Sequence, residues 1–223
     1  MKIETITKFE DFLSLETIWN NLVEKSENDT LFLRHEWFKC WWLGFGKNKQ
    51  LFVLLVKDEG SIIGIAPLMI ERTHYRGFPV RKIEFIENSN SPRVNFILTK
   101  KKEECLEAVF NYLKENKDKW DIIDLRNVPE DTFICGSLPE VLDRNKLLSG
   151  IRKGLHSPFI SVNSDWHTYY STRTRRFRKS LKNKTNRIKK IGEPVIQKFE
   201  NIGNPGTVLT DIMEIAKHSW KSK

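Results

Sequence analysis

A chain of 223 residues that is 39% hydrophobic and 11% aromatic carries ample apolar mass for a packed globular core, and at this length it is more than one average domain but hardly two. No apolar run approaches the ~20 residues of a membrane-spanning helix, and Met1-Lys2-Ile3-Glu4 does not open a secretory signal, so the expected location is the cytoplasm. The net charge of +9 is local: ten cations and no Asp or Glu lie between Ser171 and Gly192, which leaves −1 for everything else.

In chain order, Lys2–Thr7 reads as a short strand. Phe9, Phe12, Leu13, Leu15, Ile18, Trp19, Leu22 and Val23 then recur at helical spacing and predict one helix up to Ser26, ended by Asn28-Asp29-Thr30. Trp37, Phe38, Trp41, Trp42 and Phe45 form an aromatic stripe on a second helix, closed by Gly44 and Gly46. Such a stripe could serve as a platform for sugars or cations, but its pattern favours a core helix.

Leu51–Val56 and Ile62–Ile70 are apolar, largely β-branched runs joined by Lys57-Asp58-Glu59-Gly60-Ser61, the pattern of an antiparallel hairpin. Neither run alternates, so both faces are expected to be covered and the hairpin to form the centre of a sheet. Pro67 cannot donate to a ladder and predicts a strand break or bulge, with the strand resuming at Met69-Ile70.

Glu71–Pro79 reads as a polar turn, Val80–Ile86 as a third strand, Asn88–Pro92 as a loop and Val94–Leu98 as a further short strand. Lys101–Lys119 predicts a helix lying on the sheet, and Trp120–Arg126 another strand. Phe133–Leu148 predicts a helix interrupted by Gly136 and Pro139, and Pro158–Val162 a last strand. The first domain is expected to close near Ser164, at residues 1–165.

Trp166, Tyr170, Phe177, Leu181, Ile188 and Ile191 then give a narrow apolar seam on one long basic helix over residues 166–192. Pro194–Phe199 predicts a strand, and Val208, Leu209, Ile212, Met213, Ile215, Ala216 and Trp220 one side of a helix started by Asn204-Pro205. Strand followed by tryptophan-bearing helix thus opens and closes the chain. The expectation is a second copy beginning at Glu193, with residues 193–223 as its opening part and the chain as the first half of a longer protein. A last helix folded back on the first domain is the simpler alternative.

The three cysteines, Cys40, Cys105 and Cys135, are far apart and in no metal-ligand spacing, and read as reduced, mostly buried thiols. The five histidines form no cluster, so no metal is expected. His35, Glu36, His74, Tyr75 and His156 are conceivable acids or bases, and nothing in their spacing ranks them; the catalytic residues are unassigned. In the basic helix, like charges at i, i+4, such as Arg175 with Lys179 and Arg178 with Lys182, each cost ~0.2–0.5 kcal/mol unless an anion compensates. Arg175, Arg176, Arg178, Lys179 and Lys182 are the candidate anion or partner site. Coenzyme A phosphates, tRNA or another nucleic acid, an anionic membrane surface, or the chain's own Glu103, Glu104 and Glu107 could each supply that anion.

Several of these features occur together in one order: Trp37 with Trp41 and Phe45, the hairpin ending Ile63-Gly64-Ile65-Ala66-Pro67-Leu68, Trp120–Leu125, Ser157-Pro158-Phe159-Ile160, the Arg/Lys helix and Ser219-Trp220-Lys221. In that order they resemble the amino-terminal half of the FemAB-like or CelD-like branch of the GNAT acyltransferases. The resemblance implies an α+β fold with a central, mostly antiparallel sheet covered by helices, then the long basic helix and the start of a second GNAT-like domain. It implies transfer of an acyl group to an amine from a thioester such as acetyl-CoA, a co-substrate and not a tightly held cofactor, or in the FemAB branch from aminoacyl-tRNA. The family's phosphate loop is Gln or Arg, two residues, Gly, one residue, then Gly or Ala, opening a helix. Arg72–Gly77 is its nearest match, lacks the second glycine and leads into a strand, so no cofactor-binding residues are assigned. The first domain therefore resembles the family's degenerate half. The competing function is a non-catalytic RNA-, tRNA- or other nucleic-acid-binding module built on the basic helix.

Overall fold

The computed structural model describes every residue except 89, 157, 159, 161, 162, 197, 199–204 and 220–223. The chain divides into two units, Met1–Pro158 and Phe159–Lys223.

The first unit is a helix-covered, mostly antiparallel sheet. Strand β1 (Lys2–Ile6) leads to α1 (Phe9–Leu13), α2 (Glu16–Lys25) and α3 (His35–Phe45). Strands β2 (Lys49–Leu51) and β3 (Val53–Asp58) form one arm of the central hairpin, and β4 (Ser61–Ala66) and β5 (Leu68–Tyr75) the other. Then follow β6 (Phe78–Phe85), β7 (Ile97–Leu98), α4 (Lys102–Glu115), β8 (Ile122–Ile123) and α5 (Phe133–Arg144).

The hairpin is central for the reason its composition implies. Val53–Val56 and Ile63–Ile70 are buried without a gap, so both of their faces are covered. One pairing register runs through it, from Lys49↔Glu71 to Val56↔Gly64, before a bulge at Val56/Lys57. Pro67 divides it. Lacking an N–H, Pro67 leaves the ladder, and its carbonyl accepts from Ile86 N at 2.9 Å while Leu68 O accepts from Phe52 N at 3.1 Å. On one side of this break the order is β1-β3-β4-β7, and on the other β2-β5-β6-β8. Strand β8 runs parallel to β6, reached through the crossover helix α4.

Both hairpin turns are tighter than the sequence reading. Asp58 pairs with Ser61 across Glu59-Gly60, and Tyr75 with Phe78 across Arg76-Gly77. In each turn both central residues have positive φ, 48° and 81° in the first and 49° and 88° in the second, the geometry that matches strand twist and favours glycine. The polar turn read over Glu71–Pro79 is therefore only the two residues Arg76-Gly77, between long strands. Its polarity reflects exposure of the strand ends.

Other readings are corrected. The helix read over 9–26 is two, because Ser14 Oγ donates back to Asp11 O at 2.7 Å and Leu15 N to Phe12 O at 3.0 Å, closing a tight turn that brings both Phe12 and Trp19 into the core. Gly136 and Pro139 do not interrupt α5: Ile134 and Val141 are buried, the helix packs on α4, and Arg144 ties it to Glu103 and Glu107 at 2.6 and 2.5 Å. Val94–Leu98 yields only β7, since Val94 N donates to Asn127 O outside any strand. Cys105 is buried, but Cys40 is exposed and Cys135 partly so, and all three thiols are free.

The core is dense in aromatic rings. Trp19, Phe12 and Phe38 are fully enclosed, with Trp19 Nε1 donating to Leu33 O at 2.8 Å. Of the aromatic stripe on α3, Phe38 and Trp41 are buried, Trp37 and Trp42 partly, and Phe45 is exposed. The stripe is mainly a core face.

In the second unit, the single rod expected over 166–192 is two helices, α6 (Trp166–Ser171) and α7 (Arg175–Ile191). Thr174 breaks it by capping α7, its Oγ1 accepting from Phe177 N at 3.2 Å, as Asp165 caps α6 through Thr168 N at 2.7 Å. Helix α8 spans Pro205–Lys217 and begins on its proline. Of the strand read over 158–162, Pro158 and Ile160 are in no strand. Of that over 194–199, residues 194–196 and 198 are in none. The remaining residues of both, with Asn204 and Trp220, lie outside the described residues.

Candidate active site

In sheets with parallel neighbours, ligands collect beyond the carboxyl ends of the parallel strands. In the first unit those ends belong to β6 and β8, and they gather Glu84, Glu87, Asp124, Arg126 and Asn127.

Pairing register assembles the approach to this site. Lys49, Glu71 and Lys82 are successive cross-strand partners on β2, β5 and β6, and Glu84 lies two residues beyond Lys82 on the same face. The four close into a ring of alternating charge. Lys49 Nζ holds Glu71 and stands 4.0 Å from Glu84 Oε1, while Lys82 Nζ meets Glu84 Oε2 at 2.6 Å and Glu71 Oε2 at 3.3 Å. The Glu84 side chain is only 10% exposed.

The two acids of the ring differ. Burial acts on Glu71 to raise its pKa, but the hydrogen bond and charge of Lys49, with Lys82 beside it, outweigh burial and hold it below the usual carboxylate range. For Glu84, burial outweighs Lys82 and the pKa is raised. Burial likewise raises Glu87, whose one hydrogen-bond partner is neutral, Asn127 Nδ2 at 2.9 Å. Asp124 is taken by Arg126, at 2.6 Å. Among the described residues, Glu87 is thus the carboxylate of this cluster that no cation pairs with, Arg126 acting on it only at a distance.

The wall behind Glu87 is ordered by polar contacts. Asn127 Nδ2 also donates to Ser91 O at 3.3 Å, and Trp37 Nε1 donates to Ser91 Oγ at 2.9 Å. Ser91 is completely buried. Trp37, read from the sequence only as part of an aromatic stripe, therefore helps hold the loop after β6. A proton acceptor with raised pKa, backed by neutral donors at a strand end, has the chemistry of a general base for an amine.

The residues named from sequence fall elsewhere. His35 is fully buried on α3, stacked on Phe12 at 4.3 Å, with Nε2 donating to Phe12 O at 3.0 Å. Glu36 accepts from Asn20 Nδ2 at 3.0 Å while Asn20 Oδ1 accepts from His35 N at 3.0 Å, an arrangement that fastens the start of α3. His74 and Tyr75 are exposed at the end of β5, and His156 is exposed. None joins the cluster. Arg175, Arg176, Arg178, Lys179 and Lys182 lie exposed or nearly so on α7, and among the described residues none of them makes an ion pair. Within the first unit, Glu103 and Glu107 both bind Arg144.

The chain between β6 and α4 does not have the chemistry of a phosphate site. Residues 86–101 contain no glycine for close backbone approach. The first turn of α4 carries Glu103 and Glu104, and Lys102 is engaged by Glu27 at 2.8 Å. Beneath it Phe85, Phe96 and Phe110 stack edge to face, with centroids 5.2 and 6.2 Å apart, and fill the space between strand end and helix. Arg72–Gly77, the nearest sequence match to the phosphate loop, is strand and hairpin turn. Among the described residues no group of three His, Cys, Asp or Glu is placed to hold a metal ion, and no helix is long and apolar enough to cross a membrane.

No family model and no curated protein matches the chain. Solved structures similar to it are acetyltransferases. A ribosomal-protein-alanine N-acetyltransferase from Brucella melitensis aligns over 71% of this chain and 100% of its own at 11% identity and a TM-score of 0.37. A possible acetyltransferase from Clostridium difficile aligns over 72% and 97% at 12% identity and 0.42. Glucosamine-6-phosphate N-acetyltransferase from Arabidopsis thaliana aligns over 72% and 100% at 12% identity and 0.41.

Proposed function

We propose that this chain acts as a GNAT-type N-acyltransferase of the FemAB-like or CelD-like branch, which moves an acyl group from a thioester such as acetyl-CoA to an amine. The observation that carries the reading is the carboxylate cluster at the carboxyl ends of β6 and β8, with Glu87 in no ion pair among the described residues. Acyl transfer to an amine needs the ammonium form deprotonated, and Glu87 is the acceptor for that proton. Residues 1–165 act as the first GNAT-like domain, 166–192 as the connecting basic segment, and 193–223 as the opening of a second copy. The crossover into α4 does not suit a pyrophosphate, so the acyl donor is held outside the first unit. The test is release of free thiol from acetyl-CoA, followed with a panel of amines and protein expressed from its complete reading frame. Amine-dependent release is expected, and none with any amine would reject the reading.

The basic helix supports a second role for the same protein as a polyanion-binding surface, for tRNA or another nucleic acid. Nine of the 17 residues of α7 are Arg or Lys, with no acid among them. Binding should weaken steeply with salt, and substituting Arg175, Arg176 and Lys179 together by Gln should abolish it. Retention that ignores salt would remove this role.

A further inference from the structure

On the opposite face of the β5–β6 pair from Glu71 and Lys82 lies an open cleft of about 650 Å³. Strands β1, β2, β5 and β6 form its floor, and the segment after α4 its rim. Thr5, Thr7, Gln50, Arg72, Arg81 and Lys119 line it.

Its electrostatics are unbalanced. Arg72 and Arg81 are direct cross-strand partners, and like charges facing across a ladder are destabilising unless compensated. Arg81 is compensated: Asp121 accepts from its Nε at 3.0 Å, its Nη2 at 2.9 Å and its backbone N at 2.7 Å, while Nη1 donates to Asp118 O. This fork holds the Asp121 carboxyl at about 2. Arg72 is exposed, and among the described residues no carboxylate meets it. Lys119 contributes another cation, its Nζ bound among the described residues to the neutral Asn116 Oδ1 at 2.7 Å, while Lys49, which also lines the cleft, is held by Glu71. The carboxylate in the lining is that of Asp118, beside Arg81. Thr5 and Tyr112, both in the lining, share a hydroxyl–hydroxyl hydrogen bond of 2.7 Å in which either can donate.

We propose that this cleft is a second ligand site, which binds the oxyanion of a small molecule, a phosphate or a carboxylate, on the unpaired guanidinium of Arg72, with Lys119 and the threonine hydroxyls around it. The volume suits a metabolite. A planar guanidinium with a free edge is the group that takes either oxyanion through two parallel hydrogen bonds. The inference stands apart from acyl transfer, since it uses neither Glu87 nor α7.

The test is isothermal titration at low salt with three probes: inorganic phosphate, ribose 5-phosphate and citrate. Saturable one-site binding is expected for at least one of them, and their ranking separates free phosphate, a phosphate ester and a carboxylate as the source. Arg72→Gln should weaken binding about tenfold to a hundredfold, in line with loss of a charged hydrogen bond. Lys119→Gln should weaken it less, and substituting Arg175 and Arg176 together by Gln should leave it unchanged. Amide shifts in a ¹⁵N spectrum, expected at Thr5, Thr7 and Gln50, verify that the variants are folded and locate the ligand. No saturable heat with any probe, full affinity in Arg72→Gln, or equal loss on changing α7 would overturn the proposal.

Discussion

His35 shows how little of a residue's role is visible in its type. In the sequence it is one of five histidines and a conceivable base. In the fold it is a core side chain between Phe12 and Trp19, with Nδ1 unsatisfied and Glu16 3.9 Å away. Burial dominates and lowers its pKa from 6.5, against the opposing pull of the Phe12 carbonyl and of Glu16. The native state thus binds fewer protons than the unfolded chain at mildly acid pH. The stability contributed by neutral His35 is present above about pH 6.5 and is lost as pH falls below it. Urea midpoints should drop between pH 7 and pH 5, and His35→Phe should remove that part of the dependence. An unchanged midpoint in the wild type would contradict the assignment. Glu87 is the converse case. Nothing in Phe85-Ile86-Glu87-Asn88 distinguishes it, because its raised pKa comes from burial in the fold, against the lowering pull of the hydrogen bond from Asn127, 40 residues away.

Among the elements, the central hairpin was the most legible, because continuous β-branched runs mean burial on both faces and Pro67 must leave any ladder. The charge ring was not legible. Lys49, Glu71, Lys82 and Glu84 sit on three strands, and only pairing register makes them neighbours. The second hairpin turn was read too long, as a polar turn over Glu71–Pro79, because Arg72–Tyr75 are polar and mostly exposed, although Arg76-Gly77 carries the tight-turn signal. With φ at 88°, Gly77 should tolerate a side chain poorly, and Gly77→Ala should cost about 1–2 kcal/mol in chemical denaturation. A neutral substitution would mean the turn is not of this type. Helix α5 shows the opposite error: Gly136 and Pro139 are real breaker signals, overridden by the burial of Ile134 and Val141.

For the whole molecule, charge segregation organises the account. The cations that make the chain basic sit on α7 in the second unit, while the first unit carries a pKa-shifted carboxylate cluster on one sheet face and an undercompensated arginine on the other. The α+β class and the covering of the sheet followed from hydrophobic pattern alone. The site did not, since it is made where β6 and β8 run parallel, a relation that depends on the crossover through α4. Phe85, Phe96 and Phe110 fill the gap between the end of β6 and α4, a packing that no local sequence pattern announced.

The central claim is that Glu87 takes the proton of an amine acceptor. The most direct measurement is the pH dependence of kcat/KM for amine-dependent thiol release, in the wild type and in Glu87→Gln. The account predicts a fall of about 10²- to 10⁴-fold in the variant, and an acid limb, above the usual carboxylate range in the wild type, that disappears with the substitution. Wild-type activity and an unchanged limb in Glu87→Gln would contradict it.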